Sequence, residues 1–343
     1  YGERCVAAKL SQSERQALSQ VVGPDGQWLL GRLQTESTPA ALRALPAIRV
    51  LTAVWEQQFE VVDGRVVFLA SGPYGGATRV QTPHDPEARY SKKGAHEWIG
   101  YKVQVTETDE NDRPHLITDI AATSSVETDF AALAPLQARL SERQVLPGEQ
   151  FVDGGYVSES NLAESARRGI DLVGPAPEET TPQARMPQGL TVAHFQIDVQ
   201  AGTAICPGGH GQHAIDRRGG RVRFRFPEAL CAACPLRPRC CTGRSGRTLS
   251  VGQHYPLLRA ARERQQTDDF KACYRRHRSG VEGTLSALVR GHGGRLGRYI
   301  GQAKRHLQAV FTGVAVNLRR AARWLVGKRP QVRRKGPGLA PAT

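Results

Sequence analysis

The stretch EQFVDGGYVSESNLAESARRGIDLVG, residues 149–174, constrains the fold of this chain more than any other. Gln150, Phe151 and Val152 read as a strand that stops abruptly at Asp153, before Gly154 and Gly155. A helix follows from Ser158 to Arg168, ended by Gly169, and IDLVG reads as a second strand. Upstream, Tyr101, Val103 and Val105 alternate with Lys102, Gln104 and Thr106, the period of two that marks a half-buried strand. The polar turn DENDRP leads from there into HLITDIAATS, which predicts a hairpin. Hairpin, helix, strand, helix, strand amounts to a mixed sheet with helices packed on it. A carboxylate at the end of such a strand lies where α/β sheets carry their functional groups, although Asp-Gly-Gly alone is also an ordinary turn.

The remaining chain divides by pattern. Residues 1–60 read as a helical segment and 61–175 as the first part of the core, with RVVFLAS (65–71) a strand and a Gly/Pro-rich loop running to about 96. In TDFAALAPLQARLSERQ, Phe130, Leu133, Leu136 and Leu140 share a helical face that Pro135 interrupts, and Asp129 suits a capping position. Residues 176–250 are irregular and Arg/Gly/Cys-rich, an inserted module without an evident core. Helical pattern returns over 251–326, and in the last helix Ile300, Ala303, Leu307, Phe311, Val314, Leu318, Ala321 and Leu325 follow a 3.6 period. The tail, 327–343, is basic, rich in Pro and Gly, and reads as disordered.

Charge narrows the partners. The 343 residues hold 47 Lys or Arg against 32 Asp or Glu, a formal +15, which favours a polyanion such as nucleic acid. Residues 217–247 contain nine arginines and one acid, Glu228; from Arg275 to Arg305 there are eight basic residues and one acid, Glu282. Arginine suits bidentate phosphate contacts. No apolar run approaches the roughly 18 residues of a membrane span, and the first residues lack an apolar export signal. The expected place is therefore the cytoplasm, on the nucleoid.

Glu282 stands out inside its basic block. Tyr274, Arg278 and Glu282 are four apart, so a continuous helix puts all three on one face, with Gly280 and Gly283 as weak points or close contacts. An intrahelical Arg278–Glu282 pair is the plain reading. The chemical one joins Glu282 to Asp153: carboxylates from different elements can hold Mg²⁺ or Mn²⁺, and paired metals clamp the attacking and leaving oxygens of a phosphoryl displacement. Arg275, Arg278 and Arg290 are then candidates for holding the DNA backbone.

FVDGGYVSESNLAESARRGIDLVGP, RRHRSGVEGTLSALVRGHGGRLGRYIGQAKRHLQAVFTGVAVNLRR and HDPEARYSKKGAHEWIGYKVQVTET together resemble the catalytic core of bacterial insertion-sequence DDE transposases, over roughly residues 80–326. The resemblance implies an RNase H-like fold that cuts and joins duplex DNA at element ends as a homo-oligomer, with two aspartates and a glutamate on Mg²⁺. Asp153 matches the second aspartate and Glu282 the glutamate. Arg278 matches the arginine of the family's Tyr-Arg-Glu-Lys signature. Tyr274 lies one position too far away, and Val289 fills the lysine position beside Arg290. The first aspartate of the family has no counterpart motif here: Asp63 falls in a turn and Asp85 in the polar loop HDPEAR. The expectation is that it belongs to a missing upstream portion, consistent with a first residue that is not Met; the alternative is that Asp85 substitutes for it. A chain so truncated would be inactive alone, and two rival readings follow, a non-catalytic DNA-binding remnant and an RNase H-like nuclease that does not join DNA.

Seven cysteines without an export signal argue against a disulfide framework. Cys231 and Cys234 have the Cys-x2-Cys bite of a tetrahedral Zn²⁺ site, and Cys206 and Cys240 would complete it, with Cys241 the alternative to Cys240. His210 and His213 are spare ligands that read better as loop residues. Cys5 and Cys273 read as small apolar residues.

Overall fold

The computed structural model describes residues 10–69, 75 and 77–328. The expectations for Cys5, for Ala70 and Ser71 of RVVFLAS, and for the tail beyond Lys328 lie outside the described residues. The elements begin with α1 (Gln12–Leu33), α2 (Ala40–Arg43), α3 (Pro46–Glu56), β1 (Phe59–Val62) and β2 (Arg65–Phe68). Next come β3 (Arg89–Lys93), β4 (His96–Glu107), β5 (Ile117–Ser124), α4 (Asp129–Glu142), β6 (Glu149–Phe151), α5 (Glu159–Arg167) and β7 (Asp171–Val173). The cysteine-rich stretch supplies β8 (Gln196–Asp198), β9 (Thr203–Ile205), β10 (Gly211–Arg218), β11 (Arg221–Phe226), α6 (Glu228–Ala232), α7 (Arg237–Cys240) and β12 (Arg247–Gly252). Three helices close the chain: α8 (Tyr255–Arg264), α9 (Asp268–His292) and α10 (Gln302–Leu325). The class is mixed α/β.

The chain forms two compact units, the first drawn from Tyr1–Gln104, Ile120–Glu127 and Gly293–Val316. Here α1 starts at a capping box between Ser11 and Glu14 and continues through Pro24. β1 and β2 form an antiparallel hairpin turned at Asp63 and Gly64, both at positive φ. A Cβ on Gly23 would lie 2.8 Å from Phe59 and Val66, so glycine lets α1 press directly onto that hairpin. Part of the expected loop before residue 96 is strand β3, paired antiparallel with β4.

The second unit comprises Val105–Asp119, Thr128–His292 and Asn317–Thr343. α4 is continuous through Pro135. Its buried face carries Leu133, Leu136, Leu140 and Gln137, whose amide donates to Gln150 Oε1 at 2.9 Å and Ser165 Oγ at 2.8 Å. One buried side chain thus ties α4 to β6 and α5. α5 begins where the Ser158 hydroxyl accepts the Asn161 N–H, and Gly169 turns the chain at φ 74°. β6 and β7 run parallel, with Phe151 opposite Val173. Instead of one mixed sheet, the strands fall into β3-β4-β5 and a separate β6-β7 pair. β6 is three residues long, and the Val152 N–H carries its ladder on to the residue before Asp153.

The stretch expected to be irregular and coreless is an ordered antiparallel sheet of five strands, β12-β11-β10-β9-β8. The sequence RVRFRF of β11 explains it. Val222, Phe224 and Phe226 point inward, join Phe195, Leu249 and Val251 in a core, and leave Arg221, Arg223 and Arg225 exposed. A period of two in a short arginine-rich run specifies an amphipathic strand.

The last helix forms as its period predicts, with most of its apolar stripe facing outward. Leu307, Phe311 and Leu318 are 53%, 66% and 68% exposed, whereas Ala309, Gly313 and Val316 are buried. The helix packs through small residues that allow close approach, and Asn317 both accepts from the Ile117 N–H and donates to its carbonyl. No helix among the described residues is long and apolar enough to cross a membrane.

Candidate active site

Asp153 is placed by the strand it follows. Val152 N–H donates to Val173 O at 2.8 Å, extending the parallel ladder, and the Asp153 carboxylate then accepts the Gly154 N–H at 2.9 Å. The two glycines fit close neighbours. A Cβ on Gly154 would stand 3.2 Å from Pro175 O, and one on Gly155 3.0 Å from Asp129 Oδ2. Asp129 is the first residue of α4, whose cap is Thr128, so its carboxylate lies at the helix N-terminus and against Gly155.

α9 brings the second carboxylate. The Thr267 hydroxyl accepts the Phe270 N–H, Asp268 and Asp269 occupy the first turn, and the helix runs unbroken through Gly280 and Gly283. Tyr274, Arg278 and Glu282 share one face, as their spacing predicts. Arg278 Nη1 donates to Asp153 Oδ1 at 3.0 Å, and its Nε donates to Glu282 Oε1 at 2.8 Å. Nη1 also donates to Tyr274 Oη at 3.2 Å, and that hydroxyl in turn donates to Val152 O at 3.1 Å. The Asp153 and Glu282 side chains are 54% and 60% exposed, so both remain open to a solvent-borne ligand. Burial raises the Tyr274 phenol above its ordinary value, opposed by the hydrogen bond from Arg278. The Arg278 guanidinium is raised as well, by its hydrogen bonds to Tyr274, Glu282 and Asp153.

Arg275 and Arg290 are exposed on α9. Asp85 belongs to the first unit, where it accepts the Tyr101 hydroxyl at 2.8 Å and the Gly301 N–H at 3.3 Å. Among the described residues, no three His, Cys, Asp or Glu side chains form a group that could hold a metal as placed. Asp153 and Glu282 are carboxylates, the donor type that Mg²⁺ prefers, and both bond the same guanidinium.

Cys206, Cys231, Cys234, Cys240 and Cys241 line a single pocket with Phe195, Phe226 and Arg247. Their thiols are free. Burial pushes the Cys240 thiol up to about 11, partly offset by Arg247. His210 is exposed and His213 lies on β10; Cys273 is exposed and does not fill the small apolar position expected of it. The role of Tyr274 could not be read from the signature spacing, because its hydroxyl reaches a carbonyl 122 residues away in the chain. Arg247 gave a weak signal, the first residue of a strand whose Leu249 and Val251 alternate inward with it.

Residues 205–322 match the model of the transposase DDE domain. The matched stretch contains Arg278 and Glu282 and most of the cysteine-rich module; Asp153 precedes it. It supports a transposase function and, with it, DNA binding. No curated protein and no solved structure matches the chain.

Proposed function

We propose that this chain is the catalytic part of a bacterial insertion-sequence transposase. It would hydrolyse a DNA phosphodiester at the element end and join the freed 3′-hydroxyl to target DNA, as a homo-oligomer on an RNase H-like scaffold. The observation that carries this reading is the convergence of Asp153 and Glu282 on Arg278, which lies 125 residues from Asp153 in the chain. The match to the DDE domain supports it.

In this reading Asp153 and Glu282 hold a divalent cation. When bound, Mg²⁺ or Mn²⁺ supplies Lewis-acid stabilisation of the reacting oxygens. Arg278 occupies both carboxylates until the cation displaces it, and then offers its charge to the phosphate. Tyr274 holds Arg278 against the end of β6. Arg275 and Arg290 contact the backbone, and the exposed arginines of β11 extend that surface. Along a strand they recur about every 6.6 Å, roughly two phosphate steps of duplex rise.

The test is metal-dependent cleavage of the element-end DNA by the complete gene product, compared with its Asp153→Ala variant. Loss of cleavage with retained DNA binding supports the assignment. Undiminished cleavage in the variant overturns it, and binding without cleavage by either protein favours a non-catalytic DNA-binding protein.

A further inference from the structure

Outside the carboxylate site, the densest collection of reactive side chains is the cysteine pocket. Three loops meet there. The turn after β9 places Cys206, the end of α6 and the residues beyond it place Cys231 and Cys234, and the end of α7 places Cys240. The turn at Cys206 is closed on itself: Cys206 N–H donates to His210 O at 2.9 Å, Gly209 N–H to Cys206 O at 2.9 Å, and His210 N–H to the Cys206 sulfur at 3.4 Å. A backbone N–H aimed at sulfur is best satisfied when that sulfur carries charge. Gly208 is the cradle of the site. A Cβ there would lie 3.4 Å from Cys234 Sγ and 3.6 Å from Cys206 Sγ, in the space the two sulfurs face.

The second observation is Arg247. It is 8% exposed, lines the same pocket, and its buried Nε has no hydrogen-bond partner among the described residues. A buried guanidinium needs a negative neighbour, and no carboxylate lines this pocket among the described residues. Four thiolates on one Zn²⁺ leave a net negative charge and sulfur acceptors for N–H donors. Protonated thiols offer no such charge. The Cys241 thiol donates to Gly243 O at 3.2 Å, a closer contact than the 3.8 Å one from Cys231 to Phe226 O, while Cys240 packs against the core with Cys206 and Cys231.

We propose that Cys206, Cys231, Cys234 and Cys240 bind a structural Zn²⁺, with Arg247 as the counter-charge at its apolar edge. Binding includes rotation of the thiols toward the ion, because as placed they do not form a closed ligand set. The site locks the ends of β9, β11 and β12 together and so fixes the arginine face of β11. It does not depend on the carboxylate chemistry.

The test is metal content of the full chain purified anaerobically from zinc-supplemented cells, with Co²⁺ titration of the metal-stripped protein. About one zinc per chain, and a cobalt spectrum with thiolate charge-transfer and tetrahedral ligand-field bands, are expected. Cys234→Ser and Cys240→Ser should lose the bound zinc, and Cys241→Ser should keep it. Wild-type protein without zinc and without the cobalt thiolate bands overturns the proposal, whatever the variants do. Retention by Cys240→Ser with loss by Cys241→Ser overturns the ligand set.

Discussion

Arg278 donates to Asp153 at 3.0 Å while its Nε holds Glu282 at 2.8 Å, so one guanidinium bridges the two carboxylates proposed to hold a divalent cation. Arg278→Ala is therefore expected to tighten Mn²⁺ binding, because a competing charge is removed. All three groups are well exposed, so folding stability should change by less than about 1 kcal/mol. Calorimetric Mn²⁺ titration beside denaturant unfolding checks both, and weaker Mn²⁺ binding would make Arg278 a support for the site instead of a competitor.

Gly174 is where strand packing fixes Asp153. A Cβ there would lie 2.6 Å from Val152 O, the carbonyl that also accepts the Tyr274 hydroxyl. Gly174→Ala must displace backbone, and about 1–3 kcal/mol of stability should disappear, together with metal-dependent cleavage. Equilibrium unfolding and a cleavage assay test it.

Asp119 on β5 is buried and accepts from Arg139 at 2.7 Å and Arg143 at 2.7 Å. Asp119→Ala leaves both arginines without their anion, at a cost of about 3 kcal/mol. Partial exposure of Arg143 holds the value to the low end of that effect. Urea unfolding measures it, and a loss below about 1 kcal/mol would show that both arginines rehydrate freely.

Tyr274 gives a pH dependence with a definite sign. Its folded pKa is raised above the ordinary 10.0, chiefly by burial. The neutral phenol is thus favoured in the folded state, and its stabilisation is complete below pH 10.0 and lost as pH rises through the raised value. Tyr274→Phe should flatten the fall of melting temperature above that pH relative to wild type. Parallel curves for the two proteins would contradict this.

Arg221, Arg223 and Arg225 share the exposed side of β11. Replacing all three with Gln should lower the salt dependence of duplex binding by about 0.9 for each phosphate no longer neutralised, or roughly 3 in slope. Fluorescence anisotropy across a salt series reads the slope, and an unchanged value would remove this face from the DNA surface.

Local pattern alone determined several parts of this protein. Residues 149–174 specified strand, helix and strand, because a period change bounded by glycine leaves little choice of local structure. The four-residue spacing of Tyr274, Arg278 and Glu282 placed them on one helical face for the same reason. Tertiary structure decided the rest. Pro135 is accommodated in α4 because the buried Leu133, Leu136 and Leu140 hold the helix together around one missing N–H. The apolar stripe on α10 is largely exposed and Ala309, Gly313 and Val316 are buried instead, since a helix shows its periodicity without showing which face finds a partner. The module at 196–252 was hidden by its arginines until strand pairing put every second residue inside. Arg278 reaches Asp153 across 125 residues of chain, a pairing that no local rule encodes.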